Sequence, residues 1–490
     1  MTGPEAGPLT SETSGSPGGA GAPVAHHGAV LRRAMGLRTT VSTSIGLAFA
    51  ALEYLAAAGL VAYVAGDSAW IAVATAGLLA LLAWGFFGEL NGMFPTAAAI
   101  RLYMKRSMDD RAALIITFTY MTTIILVIAA DAFVVGSAIA KVFGQETFTA
   151  GLWIVALLAV AVGANLRGIK VAGTVQDAAT FTVLGATAVI ATTALLRSHR
   201  ALRFPLSPLH GHSPGDLIEA VALGVFLYSA FEWVTTNAEE VRRPQHVHRG
   251  MLAAIGLLLV VCSLITMAMS HLLTHHQLGS AFPQLYLGRA AFGRAGLWVM
   301  AGITALTALN TFNGGFITAS RFIYATAREG SLPRRLAALN DRAVPWVPVV
   351  GLGIGAAIVA LVVAASHSWQ VLVATGAALE AMIYAVAATC VVRLRGRLPD
   401  HHRPFRMRVA RGLGAFGVVV FGALAAVASV SVDNRFDPVP LVVIGVCAGL
   451  SAYYVLGVLP RVRAAEAARR AGRARRRPPP ATPLQPSGTR

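Results

Sequence analysis

Leu227-Tyr-Ser-Ala-Phe-Glu-Trp-Val-Thr-Thr-Asn-Ala-Glu-Glu-Val-Arg-Arg-Pro244 is the stretch whose reading decides the fold. It begins inside an apolar run, carries Glu232 where hydrocarbon is expected, and leaves through Glu239-Glu240, two arginines and a proline. A charged side chain inside a bilayer costs about 3 kcal/mol on insertion scales, so it is seldom there without a role. The segment is therefore a candidate ligand site within a membrane-spanning helix.

The rest of the chain supports a membrane setting. Of 490 residues, 56% are hydrophobic and only 13% charged, against about 25% charged in a soluble domain. The apolar residues come in runs of about 20, the length of helix that crosses a bilayer. An all-α integral membrane protein follows. A net charge of +18 would point to nucleic acid in a soluble chain. Here the arginines sit in short loops and the C-terminal tail, so the bilayer is the expected partner and nucleic acid is not. Cys262, Cys390 and Cys447 each lie within an apolar run and read as packing residues, with neither a disulfide framework nor a CxxC metal pattern. Residues 1–34 are rich in Gly, Ser, Pro and Thr and read as a disordered cytoplasmic tail, unlike a signal peptide.

Twelve transmembrane helices are expected, at about 41–64, 68–94, 113–142, 149–166, 171–196, 215–237, 250–272, 296–326, 347–366, 369–392, 411–432 and 438–460. Lys and Arg set their orientation. With a cytoplasmic N-terminus, 32 of the 40 fall in cytoplasmic segments, 7 fall outside, and Arg321 lies near the inner end of span 8. Both termini are then cytoplasmic in a cell (inner) membrane, because the Lys/Arg bias sets topology. The densest basic segments are the loop Arg393–Arg411 and the tail after Arg461, which read as topology signals attracted to anionic lipid.

Four motifs carry a resemblance. Glu89-Leu-Asn-Gly-Met-Phe-Pro-Thr-Ala-Ala-Ala-Ile-Arg-Leu-Tyr103 closes span 2, and Asn165-Leu-Arg-Gly-Ile-Lys170 turns between spans 4 and 5. Phe231–Pro244 leaves span 6, and Ser320-Arg-Phe-Ile-Tyr-Ala-Thr-Ala-Arg-Glu-Gly-Ser-Leu-Pro333 leaves span 8. In this order and at these depths they resemble the amino acid–polyamine–organocation (APC) superfamily of permeases over roughly residues 35–460. The resemblance implies two inverted five-helix repeats, spans 1–5 (35–200) and 6–10 (201–393). Spans 11 and 12 (394–460) are peripheral, and a basic Pro-rich cytoplasmic tail (461–490) follows. In such folds the first helix of each repeat is broken near the midplane and the substrate sits at the break.

The implied site follows residue by residue. In span 6, Ser229-Ala230 precede the acid at the expected break. The family usually has glycine where Ala230 stands, so a milder unwinding is expected. Phe226 matches a position where the family often places an aromatic over the substrate, and an ordinary packing role fits it equally. Glu232 reads either as a structural acid holding the break or as a substrate contact. In span 1, counting back from Glu89 puts Leu52-Glu53-Tyr54 at the break, where the family usually shows glycines. Either Glu53 is protonated, or it binds a substrate ammonium, or the true break is Ser44-Ile45-Gly46.

Asp131 in span 3 and Glu380 in span 10 add two further acids, and no lysine or arginine lies at comparable depth. Unpaired acids in a membrane suggest bound protons, a bound cation or a cationic substrate head. Many proton-coupled relatives carry a lysine in span 5; alignment puts Thr182-Val183 there, leaving the acids or sodium as the coupling element. Asn310, Asn313 and Thr318 offer oxygens to a hard cation or bridge helices. Gly314-Gly315 lies where the family's span 8 faces the substrate, and small residues there also serve close helix packing.

The resemblance thus implies a secondary active transporter for an amino acid or related organic amine, working by alternating access. It places substrate around Leu52, Glu53, Asp131, Phe226, Ser229, Ala230, Glu232 and Gly315. Glu53, Asp131, Glu232 and Glu380 are its candidates for coupling to a proton or sodium. No enzyme motif is present, and neither a cofactor nor a metal is expected. The alternatives are an inorganic-ion cotransporter of the same fold and a non-transporting sensor.

Overall fold

The computed structural model describes residues 35–48, 52–96, 98–144, 147–168, 173–198, 213–432, 435–436, 444–445, 448–449, 451–461, 463–464 and 467. The expected N-terminal tail, most of the basic C-terminal tail and much of the twelfth span lie outside them.

The first span is divided into α1 (Leu37–Ala48) and α2 (Ala57–Ala65), with a π-helical turn at Leu52–Ala56. α3 (Ala69–Met93) is the second span, and α4 (Ala99–Ser107) is a short amphipathic helix after it. α5 (Asp110–Val142), α6 (Thr147–Leu166) and α7 (Gly173–Leu196) complete the first half. The second half begins with α8 (Pro214–Phe226), which gives way to a 3₁₀ segment at Phe231–Asn237, and continues in α9 (Gln245–Leu272). After the short α10 (His275–Leu278) come α11 (Pro283–Arg328), α12 (Trp346–Ser366), α13 (Trp369–Arg397) and α14 (Ala410–Val430). Ten helical stretches among the described residues are long and apolar enough to cross a membrane. The first helix of each half is the interrupted one, as inverted repeats require.

The eighth span keeps its expected bounds, and a separate short helix precedes it. α11 starts at Pro283 and is non-helical at Phe292 and Gly293, so residues 283–291 form a separate helix. Pro at the first helical position starts it, where a missing N–H costs nothing. With α10, this piece packs on α2. A Cβ on Gly59 would lie 2.4 Å from the Pro283 ring, so only glycine allows that approach.

The sequence motifs meet at the face that carries the start of α1. Met35 N–H donates to the Glu240 carbonyl (3.0 Å) and Arg242 N–H to that of Met35 (3.0 Å), which pins the start of span 1 to the exit of span 6. Arg321 of α11 donates to the Glu240 carboxylate. Arg101 of α4, itself buried, donates to Glu329 and to Ser331 Oγ (2.8 Å), both in the span 8 motif. Tyr103 is buried with its hydroxyl beside Thr235 of the 3₁₀ segment.

Glu89 has a separate task. It is 1% exposed at the end of α3 and accepts from Arg395 Nε (2.8 Å), Arg395 Nη2 (2.6 Å) and the Met407 N–H (3.0 Å). Arg403 Nε lies 3.2 Å away. One carboxylate thus clamps the basic loop between α13 and α14 onto α3. Removing one partner of a buried ion pair leaves an uncompensated charge and costs about 3–5 kcal/mol. Glu89→Ala is expected to lower the thermal unfolding midpoint of the purified protein far more than Asp341→Ala in an exposed loop. Equal midpoints for the two variants would show that the clamp does not hold the fold.

Candidate functional site

The first break is built by a change of helix type. α1 is described as far as Ala48, and the chain is π-helical at Leu52–Ala56 before it returns to α-helix at Ala57. A π turn widens the hydrogen-bond ladder and occurs mostly at functional sites. The interruption therefore falls at Leu52-Glu53-Tyr54, whereas Ser44-Ile45-Gly46 lies within regular α1. Tyr54 is buried, while the side chains of Leu52 and Glu53 lie outside the described residues.

The second break is sharper than expected. Ser213 and Asp216 form a capping box that starts α8. The helix tightens into successive i+3 hydrogen bonds at Leu227, Tyr228 and Ser229 (each 3.1 Å), and Ala230 then turns into the left-handed region at φ 63°, ψ 2°. An L-residue with a Cβ there costs roughly 1–2 kcal/mol. Alanine in place of glycine has therefore not softened the unwinding; packing imposes it. The Tyr384 hydroxyl of α13 donates to the Tyr228 carbonyl (3.4 Å), and the Tyr228 hydroxyl donates to the Val73 carbonyl of α3 (3.0 Å). A carbonyl near the break thus has a partner where no water is at hand. Ser229 is buried, and its hydroxyl has no hydrogen-bond partner among the described residues.

The acids divide into two places. Glu380 of α13, fully buried, faces the Tyr384 hydroxyl, the Ala230 backbone and the Glu232 carboxyl. Tyr120 of α5 lies near both Glu232 and Glu380 and packs at a tilt against Trp233 (centroids 5.6 Å apart). Two carboxylates in contact repel by about 4 kcal/mol at 4 Å even at an effective dielectric of 20. Asp131 is also fully buried, but it comes eleven residues after Tyr120 on α5, about 16 Å along the helix at 1.5 Å per residue. One turn before it, Ile128 faces Gly315 of α11, where an added Cβ would find ordinary van der Waals contact. Phe226 is buried at the end of α8, its ring filling the space a side chain at Gly376 would need.

Sequence reasoning missed a polar junction between α1, α7 and α11. Asn310 Nδ2 donates to Thr180 Oγ1 (3.1 Å), and Thr180 Oγ1 donates to the Ser42 carbonyl (3.4 Å). A Cβ on Gly46 would lie 3.0 Å from Thr180 Oγ1, so the glycine allows the approach. The span 5 residue that meets α1 is thus Thr180; Thr182 is exposed on the opposite side. One turn earlier, buried Asp177 accepts from Ser42 Oγ and from Thr39 Oγ1 (3.2 Å), with exposed Arg38 3.6 Å away. An acid in the first two turns of a helix is also what the helix dipole favours, so its place in the sequence does not single out Asp177.

These features define a class: a polytopic membrane protein with two halves, each opening on a helix broken at a buried polar site. The chain belongs to the amino acid permease family, whose model matches residues 35–453. Asc-type amino acid transporter 1 of Mus musculus is 27% identical over 221 residues, 44% of this chain and 39% of that protein. L-asparagine permease 1 of Mycobacterium tuberculosis (strain ATCC 25618 / H37Rv) is 25% identical over 334 residues, 62% of this chain and 65% of that protein. The match spans about two fifths of the length of the first of these relatives. A crystal structure of the Eremococcus coleocola manganese transporter, in complex with an aromatic bis-isothiourea substituted compound, shares the fold. It superposes with a TM-score of 0.57 at 15% identity, covering 90% of this chain and 98% of that one.

Asp177 latches the N-terminal end of α1 to α7. Asp177→Ala is expected to loosen α1. A cysteine placed at buried Ser44, on a cysteine-free background, should then react with a thiol reagent several-fold faster than with Asp177 intact. An unchanged rate would mean that the contact does not restrain α1.

Proposed function

We propose that this protein is a secondary active transporter that carries an amino acid or a related organic amine by alternating access. In this reading both termini are cytoplasmic in a cell (inner) membrane, and transport is coupled to protons. The observation that carries the reading is the meeting of Glu232 and Glu380 at the left-handed turn of Ala230, beside the open hydroxyl of Ser229. An unwound helix exposes backbone groups to a substrate's polar ends. A carboxyl pair beside it gains or loses a proton as charge arrives or leaves. Family membership and the named amino acid transporters among its relatives support an amino acid as cargo. Leu52 and Glu53, in the π turn of span 1, are assigned to the same site. Asp131 and Gly315, deeper along α5 and α11, are assigned to its outer wall.

The first test is thermal stability of the purified protein against amino acids, diamines and simple salts, since a ligand that binds the folded state raises apparent stability by mass action. A shift with a cationic amino acid or diamine supports an acid-lined amine site. A shift with zwitterionic amino acids alone places the acids on the coupling side. A shift with inorganic salt only would replace this reading with an ion cotransporter.

The second test separates coupling from folding. In proteoliposomes, Glu232→Gln and Glu53→Gln are each expected to cut pH-gradient-driven uptake at least about tenfold, the effect of roughly 1.4 kcal/mol, with protein levels retained. Normal uptake by a variant would remove that acid from the mechanism, and uptake that requires sodium but ignores pH would remove proton coupling.

A further inference from the structure

The loop that Glu89 clamps borders an open cavity of about 360 Å³, lined by Arg395, Arg403, Arg406 and Arg411 together with Val409, Ala410 and Gly412 at the start of α14. Four arginines thus line one space, and among the described residues the carboxylate paired with them, Glu89, is engaged by Arg395 and Arg403. Arg406 and Arg411 are exposed. Arg403 is 5% exposed; its two terminal nitrogens donate to four backbone carbonyls, while its buried Nε makes no well-formed hydrogen bond despite lying 3.2 Å from Glu89.

The fixed charges around the cavity are mostly of one sign. The N-terminus of a helix carries about half a positive charge, which favours anions nearby. α14 has no acidic residue in its first turn and instead carries Arg411 there, with Arg406 and Arg408 just before it. Val409, a β-branched residue, is held at φ 51° at the cavity's edge, a conformation such residues rarely adopt. An anion bound at the helix start would offset both the dipole and the arginine cluster.

We infer that this cavity binds a phosphate group, held by Arg406, Arg411 and the N–H groups at the start of α14, with Arg395 and Arg403 behind them. Guanidinium groups match phosphate with paired, charge-assisted hydrogen bonds. An exposed apolar row, Val409, Leu413 and Phe416, runs down α14 from the cavity, as an acyl chain attached to the phosphate would need. The chain's own C-terminal tail does not suit the cavity, because residues 461–490 hold nine arginines and a single acid, Glu466. The inference requires only that the chain spans a bilayer, so it stands or falls apart from the nature of the cargo.

The test is lipid retention by the full-length protein in native mass spectrometry, with phosphatidylglycerol and phosphatidylcholine offered in turn, and thermal shift with inorganic phosphate. Loss of two charge-assisted contacts predicts at least about tenfold weaker phosphatidylglycerol retention in Arg406→Gln/Arg411→Gln. Arg469→Gln/Arg470→Gln in the tail is expected to retain lipid like the parent. That pattern establishes a phospholipid as the source. A thermal shift with inorganic phosphate that the first double variant abolishes, without selective lipid retention, establishes free phosphate as the source. Both double variants leave Glu89 and its partners intact, and a matching unfolding midpoint verifies that each is folded. Equal retention of both lipids with no phosphate shift, or equal losses in the two double variants, would overturn the site.

Discussion

Ala230 is held in a backbone conformation that alanine resists, and much of the candidate site depends on that one residue. Its left-handed turn ends the α-helical course of span 6 inside the protein, where every exposed N–H and C=O must find a partner without water. The tyrosines answer that demand. Tyr384 takes up the Tyr228 carbonyl, Tyr228 reaches across to α3, and Glu380 faces the backbone of Ala230 itself. Strain of this kind persists only where the surroundings over-determine it. Around the turn, Phe231 packs against Phe87 and Tyr384, and Tyr120 against Trp233.

The two ends of the broken helices are restrained by different chemistry. On the side where α1 begins, the restraints are polar: the Asp177 contacts with Thr39 and Ser42, backbone bonds between Met35 and residues 240–242, and the Arg321–Glu240 pair. On the other side, α10 and residues 283–291 rest on α2 through the close approach at Gly59, and Lys141 of α5 donates to Tyr286 (2.9 Å). Polar restraints exchange partners with water as a helix end moves, whereas a packed glycine contact separates as a unit. The break between them, with its acid pair, is common to the two.

Much of the fold was legible in the sequence. The period and length of the apolar runs placed the spans, because a bilayer sets one length for every crossing helix. Three of the four motifs supply contacts that join the halves, through Arg101, Glu240 and Arg321, although the sequence did not say which residues pair. The eighth span stands where the apolar run put it; what was not foreseen is the separate helix 283–291 before it, divided from the span at Phe292 and Gly293 by backbone geometry. Thr180 was missed by two residues, because a count along the chain does not say which face of a helix turns inward.

By itself the sequence determined that this is a many-span helical membrane protein of the permease type, and that acids lie within its spans. Hydropathy and charge are local properties and carry that information without the fold. Only the tertiary structure decided which acids meet. Glu232 and Glu380, 148 residues apart in the chain, face each other, while Asp131 sits at another depth. The fold also decided that Glu89 clamps a distant loop and that Asp177 holds α1. Such pairings depend on how helices cross and rotate against one another, which is settled by packing among all of them at once.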